Sequence, residues 1–131
     1  MTRLAALLLC LLSSLATAQS YPSRAVRMVV GFPPGGGTDI LARVLAPQLS
    51  QQLGQAFVVE NRPGATTNIA SDLVAKSAPD GYTLLFTTSA LAINMSLYKN
   101  LPFDALRDFA PLSVFAESPN LLVPHQSPGA S

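Results

Sequence analysis

Apolar positions along this chain change period several times. Residues 25–31, Ala-Val-Arg-Met-Val-Val-Gly, form a short run rich in β-branched side chains and closed by turn formers, the pattern of a buried strand. Ile40, Leu41, Val44, Leu45, Leu49 and Leu53 then recur at helical spacing. Pro47 falls inside that pattern and predicts a kink or a break near Ala46, and Gly54 suits the C-terminal stop. Residues 56–60 read as a second strand, and Asn61-Arg62-Pro63-Gly64 as a type II turn. Ile69, Leu73 and Val74 fall on one face of a second helix, capped by Thr67 or Asn68. Pro79-Asp80-Gly81 predicts a tight turn, residues 82–87 a third strand, and residues 93–98 a short helix. Residues 101–108 read as irregular, with one helical turn after Asp104. The apolar runs 111–115 and 121–123 read as strands, and the tail from His125 carries no structural signal. Strands alternating with helices imply right-handed crossovers and a parallel sheet, hence an α/β fold.

The stretch Phe32-Pro33-Pro34-Gly35-Gly36-Gly37-Thr38-Asp39 sits where the first strand turns into the first helix. Prolines stiffen the approach and glycines leave no Cβ to block a ligand. Thr38 is a candidate N-cap, and Asp39 suits the positive end of the helix dipole. Such a turn presents amide groups to an anion. A dinucleotide fingerprint needs glycine where Ile40 stands, and a Walker loop needs lysine where Thr38 follows Gly37. A small carboxylate is the simplest remaining guest; a tight turn with no guest is the alternative. In parallel sheets ligands bind beyond the carboxyl ends of the strands. Three small, polar loops are expected there: Pro34 to Thr38, Gly64 to Asn68, and Thr87 to Ser89.

Composition adds the compartment. Arg3, an apolar run from Leu4 to Leu12 and Ala16-Thr17-Ala18 have the order of a secretory signal peptide, with cleavage after Ala18. The run is shorter than the roughly 20 apolar residues of a membrane span. Cys10, the only cysteine of the 131 residues, lies inside it, so the mature chain carries no disulfide. An export signal without disulfides suits a bacterial periplasm. Apart from Arg3 the chain carries seven basic and seven acidic side chains, a balance that gives no basis for nucleic acid or a charged membrane as partner.

The segments FPPGGGTDILAR, LGQAFVVENRPGA, APDGYTLLF, AINMSLY and LPFDALRDFAPL, in this order, resemble the solute receptors of tripartite tricarboxylate transporters, the Bug family. The resemblance runs from about Tyr21 to Val123. It implies a periplasmic binding protein fold of the type 2 class, in which two α/β lobes close on a small organic carboxylate and pass it to a membrane permease. It also implies a monomer at full length and no cofactor. The ligand loops of the family match Pro34, Gly35, Gly36 and Thr38; Gly64, Ala65, Thr66, Thr67 and Asn68; and Thr87, Thr88 and Ser89. Two departures stand out: Thr66-Thr67 replace a frequent Gly-Gly, and Met95 replaces a usual proline. Family members are much longer, which makes this fold incomplete: residues 1–18 a signal peptide, 19–117 a partial first lobe, 118–131 the start of the crossover into a second. A non-functional truncated gene product and an exported enzyme on the same scaffold are the competing readings.

Other chemistry is thinly represented. Ser96-Leu97-Tyr98-Lys99 matches the S-x-x-K of penicillin-binding enzymes without its companion motifs. His125 is a single histidine, too little for a metal site or a catalytic triad. Arg62 has two roles open to it, pairing with Glu60 or meeting a ligand carboxylate. Tyr82, Phe86 and Phe57 read as core. No catalytic residue is expected. The export reading has a direct check: mass spectrometry of periplasmic protein should find Gln19 at the N-terminus, whereas an intact Met1 form confined to the cytoplasm would refute it.

Overall fold

The structure is a computed structural model that describes residues 21–119; the signal segment, the 121–123 run and His125 lie outside the described residues. Three parallel strands form the sheet in the order β2-β1-β3: β1 (Val26–Val30), β2 (Phe57–Asn61) and β3 (Thr83–Phe86). Val26 stands opposite Phe57, and Arg27 opposite Thr83. Helix α1 (Gly37–Leu53) packs on β1 and β2, and α2 (Asn68–Ala75) on β3 and β1. A third helix, α3 (Ala90–Leu97), follows β3 and lies against α2 and the turn that precedes it. The chain thus leaves β1 toward one side for β2 and returns past it for β3. That reversal is where doubly wound sheets open a crevice at their carboxyl edge.

The core is centred on β1. Val26, Met28 and Val30 are buried against Ala42 and Ala46 of α1 and Phe57 of β2, with Phe32, Leu45, Leu49, Tyr82, Leu84 and Phe86 around them. The three aromatic residues expected in the core are there. The buried stripe of α1 differs from the apolar pattern. Asp39, Ala42 and Ala46 face the sheet, whereas Ile40, Leu41, Val44 and Leu53 are exposed. Small side chains let the helix approach the sheet closely, and that overrides the pull of the larger apolar residues one position away. In the same way α2 buries Asn68, Ala70 and Ser71 and leaves Ile69 half exposed.

Pro47 does not divide α1, which continues to Leu53 and stops at Gly54 in the left-handed conformation. The N-cap is Gly36, not Thr38. Residues 61–64 make no type II turn: Asn61 completes β2, and Gly64 adopts φ 132°, ψ 154°, a region open almost only to glycine. No strand forms over 111–115; these residues run exposed, with no partner strand among the described residues. The turn after Asp104 is present, its amides at Leu106 and Arg107 donating to Asp104 Oδ1.

Gly31 ends β1 beneath the second loop. A Cβ there would stand 2.6 Å from Thr67 Cβ, so only glycine lets β1 and that loop close on each other. Gly31→Val should therefore cost about 1–3 kcal/mol through overpacking. Thermal melts check this: the midpoint should fall, and Thr67→Gly should recover part of the loss.

Candidate functional site

The three loops leave the carboxyl ends of the three parallel strands, on one edge of the sheet. In the first, Pro34 and Gly35 are exposed and Gly36 and Thr38 half-buried. Its amides are not all free. Gly35 N–H donates to Asp39 Oδ2 at 2.8 Å, and Gly36 N–H reaches Pro33 O at 3.4 Å. The amides of Gly37 and Thr38, in the first turn of α1, have no carbonyl within the helix to bond. They form the open end of the helix dipole.

Asp39 is the hub beneath this loop. Its side chain is 3 % exposed. It accepts from Gly35 N–H, from Arg43 Nε at 3.0 Å and from Asn61 Nδ2 at 2.8 Å. Asn61 also donates to Phe32 O, and Arg43 Nη2 donates to Asn61 Oδ1. Arg43 foremost, then Gly35 and Asn61, hold the Asp39 carboxyl down at about 2. The network ties the start of α1, the glycine loop and the end of β2 together. Sequence reasoning gave Asp39 only a dipole role and missed Arg43 and Asn61. The i,i+4 spacing of Asp39 and Arg43 was the available clue.

The second loop takes an unusual path. Ala65, Thr66 and Thr67 have φ of 45°, 52° and 74°, three consecutive non-glycine residues in the left-handed region. Gly64, Ala65 and Thr66 are exposed, while Thr67 and Asn68 are buried at the start of α2. The loop is held from α3. Asn94, fully buried, donates through Nδ2 to Thr66 O at 2.6 Å and to Asn68 Oδ1 at 2.7 Å. Tyr98 Oη lies 3.1 Å from Thr66 Oγ1. Asn94 too escaped the sequence reading, although a polar residue inside the apolar run of α3 was its signal.

The third loop is simpler. Thr88 and Ser89 are exposed, and Thr88 Oγ1 accepts from Ala90 N–H at 3.3 Å at the start of α3. Thr87 Oγ1 is buried without a partner, as are Thr67 Oγ1 and Asn94 Oδ1. The second loop thus touches the end of β1 through Thr67 and Gly31, and the helix after the third loop through Asn94. Arg62 is not turned to a ligand: it pairs with Glu60, which also binds Arg27 at 2.7 Å. Arg27 first and Arg62 second hold the Glu60 carboxyl below the usual range. A surface hollow of about 450 Å³ lies elsewhere, between α1 and β2 around Ala46, Pro47 and Val58. No group of three His, Cys, Asp or Glu side chains able to hold a metal occurs among the described residues.

A parallel α/β sheet with small polar loops gathered at its carboxyl edge has the arrangement in which open α/β sheets receive ligands beyond their strand ends. Residues 41–131 match the family model described as the tripartite tricarboxylate transporter family receptor, and the chain belongs to that family. It is 49% identical over 109 residues to Protein BugT of Bordetella pertussis, a match covering 82% of this chain and 33% of that protein. Among solved structures it is similar to R. palustris Rpa4515 with adipate, at 42% identity and a TM-score of 0.63 over 66% of this chain and 29% of that one. It is also similar to MatC (Rpa3494) from Rhodopseudomonas palustris with bound malate, at 35% identity and a TM-score of 0.64 over 70% and 31%. The chain spans about a third of the length of the curated relatives it matches. The family is one of transport receptors, and its periplasmic setting and α/β fold agree with the sequence reading.

The Asp39 network makes a pH prediction. The folded carboxyl titrates at about 2, below the ordinary carboxylate value of about 3.9. Its contribution is therefore complete above about pH 4 and is lost as the pH falls through about 2. Glu60 and Asp104 are also held low and add to the acid slope. Urea midpoints measured from neutral pH down to pH 2 should fall less steeply for Asp39→Asn than for the unmodified chain, starting from a lower value at neutral pH. Identical slopes would remove Asp39 from its place as hub.

Proposed function

We propose that this chain supplies one wall of a cleft that receives a small dicarboxylate in the periplasm. Within a complete receptor the solute then passes to the membrane permease of a tripartite tricarboxylate-type transporter. Residues 19–117 act as the first lobe and 118–131 lead toward the second, after export and cleavage behind Ala18. One observation carries the reading. In a member of this receptor family, the open amides of Gly37 and Thr38 share one sheet edge with the left-handed turn of the second loop. Both are backbone arrangements that receive anions. Rpa4515 holds adipate and MatC holds malate, both dicarboxylates, and the same class is the natural guest here.

The electrostatics support a seat built from amides and hydroxyls. Arg43 is spent on Asp39, and Arg62 on Glu60. A helix N-terminus contributes about 0.3–1 kcal/mol toward an exposed anion. A single wall therefore binds weakly, around the millimolar range that corresponds to roughly −4 kcal/mol.

Titration of the ¹⁵N-labelled chain with adipate and malate tests this. Shifts should saturate at millimolar ligand and concentrate at 35–38, 65–68 and 87–90. Gly36→Val should abolish those at 35–38 while the melting curve stays nearly unchanged. Gly36 has φ −74°, ψ 163°, open to any residue, and its nearest new contact would be Pro33 O at 3.5 Å. A valine there fits the fold and crowds the seat. Shifts scattered over the surface, or none at tens of millimolar ligand, would overturn the reading.

A further inference from the structure

We propose that Asn94 is the positioning residue of the second loop: from α3 it holds Ala65–Thr67 in the left-handed backbone that turns this loop toward the ligand. The proposal rests on the reading of the strand-end loops as a carboxylate seat. Left-handed conformation is uncommon for any side chain with a Cβ and more so for β-branched threonine. Three such residues in a row need an external hold. The neighbouring glycines permit the turn but do not enforce it. Gly31 makes room for Thr67, and Gly64 supplies the entry at φ 132°.

Asn94 provides the hold. A carboxamide nitrogen has two hydrogens, and both are used: one on Thr66 O at 2.6 Å, one on Asn68 Oδ1 at 2.7 Å. The two acceptors bracket Thr67, the residue with the largest positive φ of the three. A backbone carbonyl only accepts, so the nitrogen, not the oxygen, must face Thr66. Asn94 Oδ1 is left buried without a partner, a cost that a leucine of similar size would avoid. What Asn94 supplies is therefore its pair of donors rather than its bulk. Tyr98, the residue that caps the C-terminal end of α3, adds a second point at Thr66 Oγ1.

The test is a mutant cycle read by amide exchange on the 131-residue chain. The probe is Asn68 N–H, which donates to Ala65 O and closes the turn. Asn94→Asp keeps the shape and removes the donor pair; Asn94→Leu removes both polar atoms. Each should speed Asn68 exchange by about tenfold or more, the equivalent of one to two lost hydrogen bonds. In a Thr66→Gly, Thr67→Gly background the same substitutions should change it by about twofold or less, because glycine adopts positive φ unaided. Equal acceleration in both backgrounds, or an Asn94→Asp chain that exchanges like the parent, would overturn the proposal.

A second measurement needs no substitution. In the unmodified chain, scalar coupling across the hydrogen bond from Asn94 Nδ2 to the Thr66 carbonyl should be detectable. A side-chain amide exchanging as freely as in water would overturn the proposal as well. Adipate titrated into each variant separates this proposal from the one it rests on. Loss of the 65–68 shifts alone in Asn94→Asp supports the positioning role. If no variant, nor the parent, responds to adipate, the carboxylate seat is refuted, and the exchange cycle still decides the role of Asn94.

Discussion

A buried carboxylate governs how this lobe is put together. Asp39 stands where α1 meets the sheet, in a position that an apolar side chain would ordinarily fill. Removing a charge from water is costly unless every lone pair finds a donor. Here the donors come from three separate parts of the chain: the Gly35 amide, Arg43 on the helix, and Asn61 at the end of β2. The charge is tolerable only when all three are in place. That condition fixes the glycine loop relative to the sheet without any side chain of the loop itself taking part.

The first two loops solve the same problem differently. The first is glycine-rich and flexible by composition, and is held from beneath by Asp39 in the first turn of α1. The second carries threonines where backbone freedom would be most useful, and is held from outside by Asn94 and by contact with Gly31. In both, a buried polar side chain bonds to backbone groups of the loop, and the exposed atoms stay available. The backbone geometry of this edge is thus held by residues set back from it.

Most of the secondary structure was legible in the sequence because it depends on local pattern. The β-branched run at 26–30, the glycine stop at 54 and the alternation of strands with helices each act within a few residues. The buried faces of α1 and α2 were less legible. Ala42 and Ala46 win over Ile40 and Val44 through close approach to a sheet that the helix cannot encode alone. The left-handed turn at 65–67 was hidden for the same reason, since Asn94 and Gly31 lie far away in the chain. So was the absence of a strand at 111–115, an exposed apolar run that pairs with no strand among the described residues. The three loops could be placed at the strand ends from local pattern, whereas the residues that bond to the first two, Asp39, Arg43, Asn61 and Asn94, are polar side chains whose partners lie elsewhere in the fold, Asp39 and Asn94 buried, Asn61 partly buried and Arg43 exposed.

The strand order β2-β1-β3 carries a consequence for how the lobe is made. Of the three described strands, the first to leave the ribosome is the one that stands between the other two. β2 and β3 then each add to an edge already present, first on one flank and next on the other, and neither has to insert between two strands that are paired. Synthesis delivers the chain from its N-terminus at about 5–20 residues per second. With β1 waiting at the centre, the order of translation and the order of sheet growth coincide, so the nascent chain need not undo one strand pairing to make the next.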